Sequence, residues 1–416
     1  MSDGLNPRRT IDELKQLKAL TGDADGAQRV AFTETWVKAR AYFKELLGDL
    51  PVEVHQDEAG NLWATLEGES ARSLVIGGHL DSVPNGGWLD GCLNVFAGLE
   101  ILRRIHAESG GRPPVTVRLV DWADEEGARF GKSLFGSSAC SGELDMAEAR
   151  GLRDRDGIFL PDAVAAYGVD FEKVKESGRE LDGVAAYIEL HIEQGPVLLD
   201  LDLPLGAVLG TFGVERHAIT FHGQAAHSGS TPMNRRRDAF LAASKMAAEI
   251  YGIAARSGQG VCTIGSCTTR PGIVTSVVEE CRLTLDQRHL DAEVLAKMLA
   301  EAREASERFA REGNVRVTWE RMWRIPPRPF DEALVELCDA SIRETCGVSH
   351  RLPSGPLHDA AEMAAAGIPT VMMFVQSLHG ISHNKIEDTR EEHLAQSVVA
   401  FDKLASKVMG WIAVRG

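Results

Sequence analysis

Long apolar runs are missing from this chain of 416 residues. No stretch approaches the roughly 18–20 residues that a membrane-spanning helix needs, and the opening Met-Ser-Asp-Gly-Leu-Asn-Pro-Arg-Arg lacks the apolar core of a signal peptide. Positive charge is scarce as well: the net charge is −16, which argues against nucleic acid or an anionic membrane surface as a partner. The seven cysteines (92, 140, 262, 267, 281, 338, 346) are odd in number and lack metal-finger spacing, which excludes a zinc finger and a simple disulfide framework. They read as reduced, mostly buried thiols of a cytoplasmic protein. Internal repeats and low-complexity tracts are absent.

What remains is the composition of a globular protein, 44% hydrophobic and 25% charged, long enough for two domains. The most informative stretch runs from Gly77 to Gly91 and carries His79, Asp81 and Asp90 among two pairs of glycines. It follows Ser73-Leu-Val-Ile, a short buried-strand pattern. His79 and Asp81 are two apart, so on an extended strand end they point the same way, and the carboxylate can hold the imidazole by its free N–H. Asp90 precedes a helical pattern from Leu93 onward, where a carboxylate can equally be an N-cap.

In chain order, residues 9–48 carry helical periodicity in two runs, and Val52–Gln56 with Asn61–Leu66 read as a hairpin. A helix over 92–108 and a strand over 115–121 point to a mixed α/β sheet. Glu125 and Glu126 follow that strand; out of context two adjacent glutamates are a solvated pair, but here they leave a buried strand. Residues 140–186 read as helical and polar. In Ala186–Pro196, Ile188, Leu190 and Ile192 alternate with Glu189, His191 and Glu193. From residue 213 the order strand, helix, strand, strand, helix, strand is ferredoxin-like. It marks an insertion over 213–326 between catalytic segments 1–212 and 327–416. A buried strand at 370–375 leads to His383, and a long helix ends the chain.

His79, Asp90, Glu125, Glu126, His191 and His383 therefore gather at strand ends, where open α/β sheets bind ligands. Three imidazoles with three carboxylates suit two divalent ions of zinc, manganese, cobalt or nickel better than calcium or magnesium. One carboxylate can bridge two such ions about 3.5–4 Å apart, and a spare one can serve as general base.

The chain resembles the M20 metallopeptidase-like amidohydrolases, in the branch of N-carbamoyl-L-amino acid hydrolases, β-ureidopropionases and allantoate amidohydrolases. The matching strings are His-Leu-Asp-Ser-Val-Pro-Asn-Gly-Gly (79–87), Asp-Gly (90–91), Glu-Glu-Gly-Ala-Arg-Phe (125–130), His-Ile-Glu-Gln-Gly-Pro (191–196), Gly-Gln-Ala-Ala-His-Ser-Gly-Ser-Thr-Pro-Met (223–233), Ser-Gly-Pro-Leu-His-Asp-Ala (354–360) and Gly-Ile-Ser-His (380–383). The resemblance implies a two-metal site of His79, His191, Glu126 and His383 with Asp90 bridging, Glu125 as the base toward the activated water, and Asp81 behind His79. It implies that the insertion is a lid and a homodimerisation surface, and that His227 stabilises the oxyanion. Gln194 would contact the ureido group, Arg288 the carboxylate of a small-molecule substrate, and Thr275 the rest of the pocket, while His358 either supports the pocket or caps a helix. Thr275 stands where the branch has asparagine, and Pro356-Leu357 where it has small residues. Both departures bear on the substrate and not on the metal chemistry. The expected reaction is hydrolysis of an N-carbamoyl-L-amino acid to the amino acid, CO2 and ammonia. The alternatives are allantoate or another amide at the same site, or a binding protein on a retired hydrolase scaffold, against which the intact Glu125 speaks.

Overall fold

The computed structural model describes residues 4–110 and 112–415. The chain divides into two compact units, Met1–Gly210 with Phe330–Gly416, and Thr211–Pro329, against 213–326 expected from the sequence for the second.

The first unit is a mixed sheet whose middle is parallel. Thr370–Val375, Val184–Ile192, Ser70–His79 and Val115–Trp122 lie side by side in that order and run the same way. Val371, Ile188, Ile76 and Leu119 share one register level across them. These strands are buried on both faces, which is why they read as nearly continuous apolar runs. Antiparallel strands flank them: Leu205–Thr211 beside Thr370–Val375, and Leu62–Leu66 then Glu53–Gln56 beyond Val115–Trp122. The last two form the expected hairpin. The Asp57 carboxylate accepts N–H groups from Ala59 and Asn61 and the Trp63 indole N–H, which closes its turn.

The helices Cys92–Ser109 and Glu391–Ala413 pack onto the parallel strands, and Pro7–Thr21 packs on both. Cys92–Ser109 is buried almost all round, as its apolar composition requires. A Cβ at its Gly98 would lie 2.5 Å from Leu119 and 3.1 Å from Ile76, so this helix approaches the sheet closely because it carries a glycine there.

Residues 140–186 differ from the polar helical reading. They form short helices, Met146–Gly151 and Leu160–Ala165, and a 3-10 stretch, Phe171–Leu181, before the Val184–Ile192 strand begins. Leu160, Phe171 and Val174 from this stretch join Phe130 and Phe135 from the preceding segment in a separate apolar cluster. Its contributing residues are spread over several short elements, so no single helical stripe announces it.

The second unit contains Gly213–His222, Ala239–Arg256, Val261–Arg270, Glu280–His289, Ala292–Glu312 and Arg316–Ile325. The strands pair antiparallel in the order second, third, first, fourth, which is the ferredoxin-like arrangement. The two helices pack together over Ile219, Phe221, Leu283, Leu285 and Met298. Of the cysteines, 92, 140, 281 and 338 are buried, 262 and 346 half-buried, and 267 exposed.

Candidate metal centre

All four parallel strands end at one rim. His79 closes Ser70–His79, Asp124–Glu126 follow Trp122, His191 sits one residue before the end of Val184–Ile192, and His383 lies downstream of Val375. The rim opens in one place. Ser70–His79 stays paired to Val115–Trp122 as far as His79, but it pairs with Val184–Ile192 only as far as Ile76. Beyond that point the Leu190 N–H donates to the side-chain oxygen of Asn94, at 2.9 Å, and no longer to a strand. His79 and His191 face each other across this crevice, ring centroids 6.0 Å apart.

Asp90 lies between the imidazoles. Its Oδ1 is 3.1 Å from His191 Nε2 and 3.9 Å from His79 Nε2, and its Oδ2 is 3.4 Å from His383 Nε2. His383 Nε2 is also 3.2 Å from Glu126 Oε2. The N-cap alternative for Asp90 does not hold: the cap of Cys92–Ser109 is Gly91, with no side-chain capping bond.

The tautomers of the two buried histidines follow from their other nitrogens. His191 Nδ1 is 2.8 Å from the carbonyl of Ile192, and His79 Nδ1 is 3.1 Å from the carbonyl of Asp81. Each Nδ1 therefore carries hydrogen, and each Nε2 turns a lone pair toward carboxylate oxygens. His79 Nε2 is buried and has no hydrogen-bond partner. Acceptors facing acceptors in a buried space require a cation between them, so the residues fit a divalent ion in each of two groups, His79–Asp90–His191 and Asp90–Glu126–His383. The same demand appears in the proton affinities. Burial drives His79 down, yet Glu125, Asp81 and Asp90 raise it well above its ordinary value. Hydrogen bonds donated to the Asp90 and Glu126 carboxylates push His383 up to about 10.

Asp81 does more than orient His79. Its Oδ1 is 3.5 Å from His79 Nδ1, but its two oxygens also accept the backbone N–H groups of Glu125 and Glu126 at 3.3 and 3.2 Å. It thus ties the end of one strand to the loop after the next. Glu125 is buried rather than solvated, with Oε2 3.7 Å from His79 Nε2, and burial raises its carboxyl well above the usual range.

The glycines of the motif make room for these groups. A Cβ at Gly91, where φ is +66°, would fall 2.3 Å from the His79 ring, and one at Gly78 would fall 2.8 Å from Asn94. A Cβ at Gly77 would collide with the Tyr187 hydroxyl, which donates to Glu189 behind the site. Asp124, Gln194 and His383 hold left-handed backbone, φ 56°, 60° and 55°. Such conformations cost about 1–3 kcal/mol each and gather at sites that over-determine them.

Of the other candidate residues, Gln194 lies in this cluster, its amide nitrogen 2.9 Å from Asp90 Oδ2. His358 is buried beneath it, its ring 4.4 Å from that of His191 and its Nδ1 4.0 Å from Glu189. His227, Thr275 and Arg288 belong to the second unit. There His227 is exposed, and its Nδ1 accepts N–H bonds from Gly229 and Ser230 at 3.0 and 3.2 Å, so Nε2 carries the hydrogen. Thr275 is exposed and its carbonyl accepts from Ser228. Arg288 Nε is 2.8 Å from Asp286, which also accepts from Arg216. Burial alone would raise Asp286; the two guanidiniums bring it below its ordinary value.

Sequence reasoning missed Ser382 and Glu387, which hold Asp90 from the far side. The available signal was their spacing around His383 in Ser-His-Asn-Lys-Ile-Glu.

The model of peptidase family M20/M25/M40 matches residues 75–407. The chain belongs to this family. Among its relatives, an N-carbamoyl-L-amino acid amidohydrolase of Geobacillus stearothermophilus is 36% identical over 89% of this chain and 90% of its own length. An allantoate amidohydrolase of Escherichia coli is 32% identical over 94% of this chain and 95% of its own. A crystal structure of an amidase of the hydantoinase/carbamoylase family from Burkholderia multivorans, 30% identical, superposes with a TM-score of 0.86 over 98% of this chain and 99% of that one. M20 membership accounts for the fold of a mixed-sheet unit with a further α+β unit. Among the described residues, no helix is long and apolar enough to cross a membrane.

Proposed function

We propose that this M20 protein is a metal-dependent amidohydrolase acting on carbon–nitrogen bonds other than peptide bonds, with an N-carbamoyl-L-amino acid as substrate. The observation that carries the reading is Asp90, one oxygen turned to His79 and His191 and the other to His383, beside a buried and basic Glu125. A ureido carbonyl is deactivated by two nitrogens and needs both polarisation and a strong nucleophile. When bound, two divalent ions would supply Lewis-acid polarisation and acidify water.

The chain's own groups do the rest. Glu125 takes a proton from the attacking water and returns it to the departing nitrogen. His227, with hydrogen on Nε2, is a donor suited to the developing oxyanion. Arg288, steadied by Asp286, offers a planar fork to the substrate carboxylate. Gln194 supplies an amide to the ureido group. One water and one carbamoyl amino acid then give the amino acid, CO2 and ammonia.

The test is ammonia release from N-carbamoyl-L- and D-amino acids, N-carbamoyl-β-alanine and allantoate, after reloading stripped protein with manganese, cobalt, nickel or zinc. L-selective release is the expected result. Release from allantoate alone would move the substrate to the second reading, which the Escherichia coli relative supports and the departure at Thr275 leaves open.

A second copy of the chain is the partner we propose. Val261–Arg270 is an edge strand, exposed along most of its length, and Tyr251 on the neighbouring helix is 80% exposed. An open edge of that length is normally covered. Light scattering is expected to give twice the 45.1 kDa chain mass, and Tyr251→Asp to shift it toward the single-chain value.

A further inference from the structure

We infer that Glu387 is a positioning residue for the metal centre, holding Asp90 and His383 in one geometry by bolting two loops together. The inference rests on the metal-dependent reading above.

Glu387 is 2% exposed, although it lies in a polar loop. Its Oε1 accepts the backbone N–H groups of Leu89 and Asp90, at 3.2 and 3.1 Å. Its Oε2 is 2.7 Å from the Ser382 hydroxyl, which in turn lies 3.0 Å from Asp90 Oδ2. One carboxylate thereby fixes the backbone of Asp90, reaches its side chain through Ser382, and anchors the residue before His383. Ser382 has one hydrogen for two carboxylates, and the Gln194 amide, 2.9 Å from Asp90 Oδ2, supplies the donor that Ser382 cannot.

The opposing loop is shaped for this contact. A Cβ at Gly87 would lie 1.9 Å from Glu387 Oε1 and 2.0 Å from its carboxyl carbon, so only glycine leaves space for the carboxylate. The next residue fastens the same two loops without reaching Asp90: Asp388 accepts the Trp88 indole N–H at 3.2 Å. These neighbours separate two roles. Asp388 helps join the loops, whereas Glu387 joins them at the residue whose two oxygens serve both ligand groups. Groups that orient a ligand in this way typically change metal affinity about 10–100-fold when removed.

The experiment titrates metal-free full-length protein with manganese and with zinc against a chromophoric chelator, with melting temperature measured in parallel. For Glu387→Ala we expect metal affinity about 10–100-fold weaker than the parent. Glu387→Gln is expected to recover most of it, because the amide oxygen can accept both N–H groups while its nitrogen donates to Ser382. Ser382→Ala is expected to weaken binding by less, and Asp388→Ala to leave affinity unchanged. Should Glu387→Ala fail to fold, Ser382→Ala decides the matter: parental metal affinity there, with the link from Glu387 to the Asp90 side chain removed, would overturn the inference. Parental affinity in Glu387→Ala, or equal losses in Glu387→Ala and Asp388→Ala, would overturn the inference while leaving the two-metal reading intact. A parent protein that binds neither ion would instead overturn the reading on which it rests.

Discussion

Glu125→Gln protein, reloaded with manganese, is expected to release ammonia about 10²–10⁴-fold more slowly than the parent while holding the same amount of metal. The substitution keeps the shape of the side chain and removes only its capacity to take a proton. Glu125 is buried, and its Oε2 lies 3.7 Å from His79 Nε2, so it stands beside the ligand groups. Burial raises its proton affinity, which is what a base needs if it is to accept from water and then donate to nitrogen. Paired measurements of rate and of bound metal separate the possibilities. A slow enzyme with full metal content identifies a base. Lost metal would instead make Glu125 a ligand, and an unchanged rate would remove it from the chemistry.

The second large effect is expected at Asp90. Asp90→Ala takes one oxygen from the His79–His191 group and the other from the His383–Glu126 group, so both ions should be lost together. Activity should fall at least about 10³-fold, since several kcal/mol of transition-state stabilisation go with the ions. His383→Ala is the informative comparison, because it leaves His79, Asp90 and His191 in place and is expected to retain one ion. Metal-to-protein ratios after gel filtration check both variants. Two ions retained by Asp90→Ala would mean that its carboxylate bridges nothing.

Much of this centre was legible from local pattern. His79, Glu125, Glu126 and His191 each stand at or just beyond a predicted strand, and strand ends in α/β sheets meet at a rim, while Asp81 and Asp90 stand out by the glycine pairs near them. What escaped the sequence depends on contacts between distant segments. The glycines around His79 and Asp90 were visible, but Gly77 makes space for Tyr187 and Gly87 for Glu387, and nothing local to either glycine names its partner. Asp81 reads as the companion of His79 because it is two residues away; its bonds to the Glu125 and Glu126 backbone reach the loop after an adjacent strand. The cluster around Leu160 and Phe171 falls where the sequence reads as polar helix, because its apolar residues are spread over several short elements and the segment before them. The ferredoxin-like unit was more transparent, since its strand and helix periods alternate cleanly along one continuous stretch.

That continuity has a consequence for how the protein is made. His79, Asp90, Glu125, Glu126 and His191 have all been synthesised before residue 211, yet the parallel sheet lacks Thr370–Val375, the neighbour of the His191 strand, until the whole second unit has been synthesised. The second unit has its own core and is assembled from one unbroken segment, so it can fold during that interval. The Phe330 N–H then meets the Leu209 carbonyl at 3.0 Å, closing a long loop that has already become compact. A long loop costs little more entropy to close than a short one, but until it closes the half-built sheet exposes an apolar edge to every other nascent chain. The apolar edge is therefore exposed while residues 211 to 375 are being made, and a chaperone acting over that span should raise the yield of native protein, whereas slower translation there should lower it.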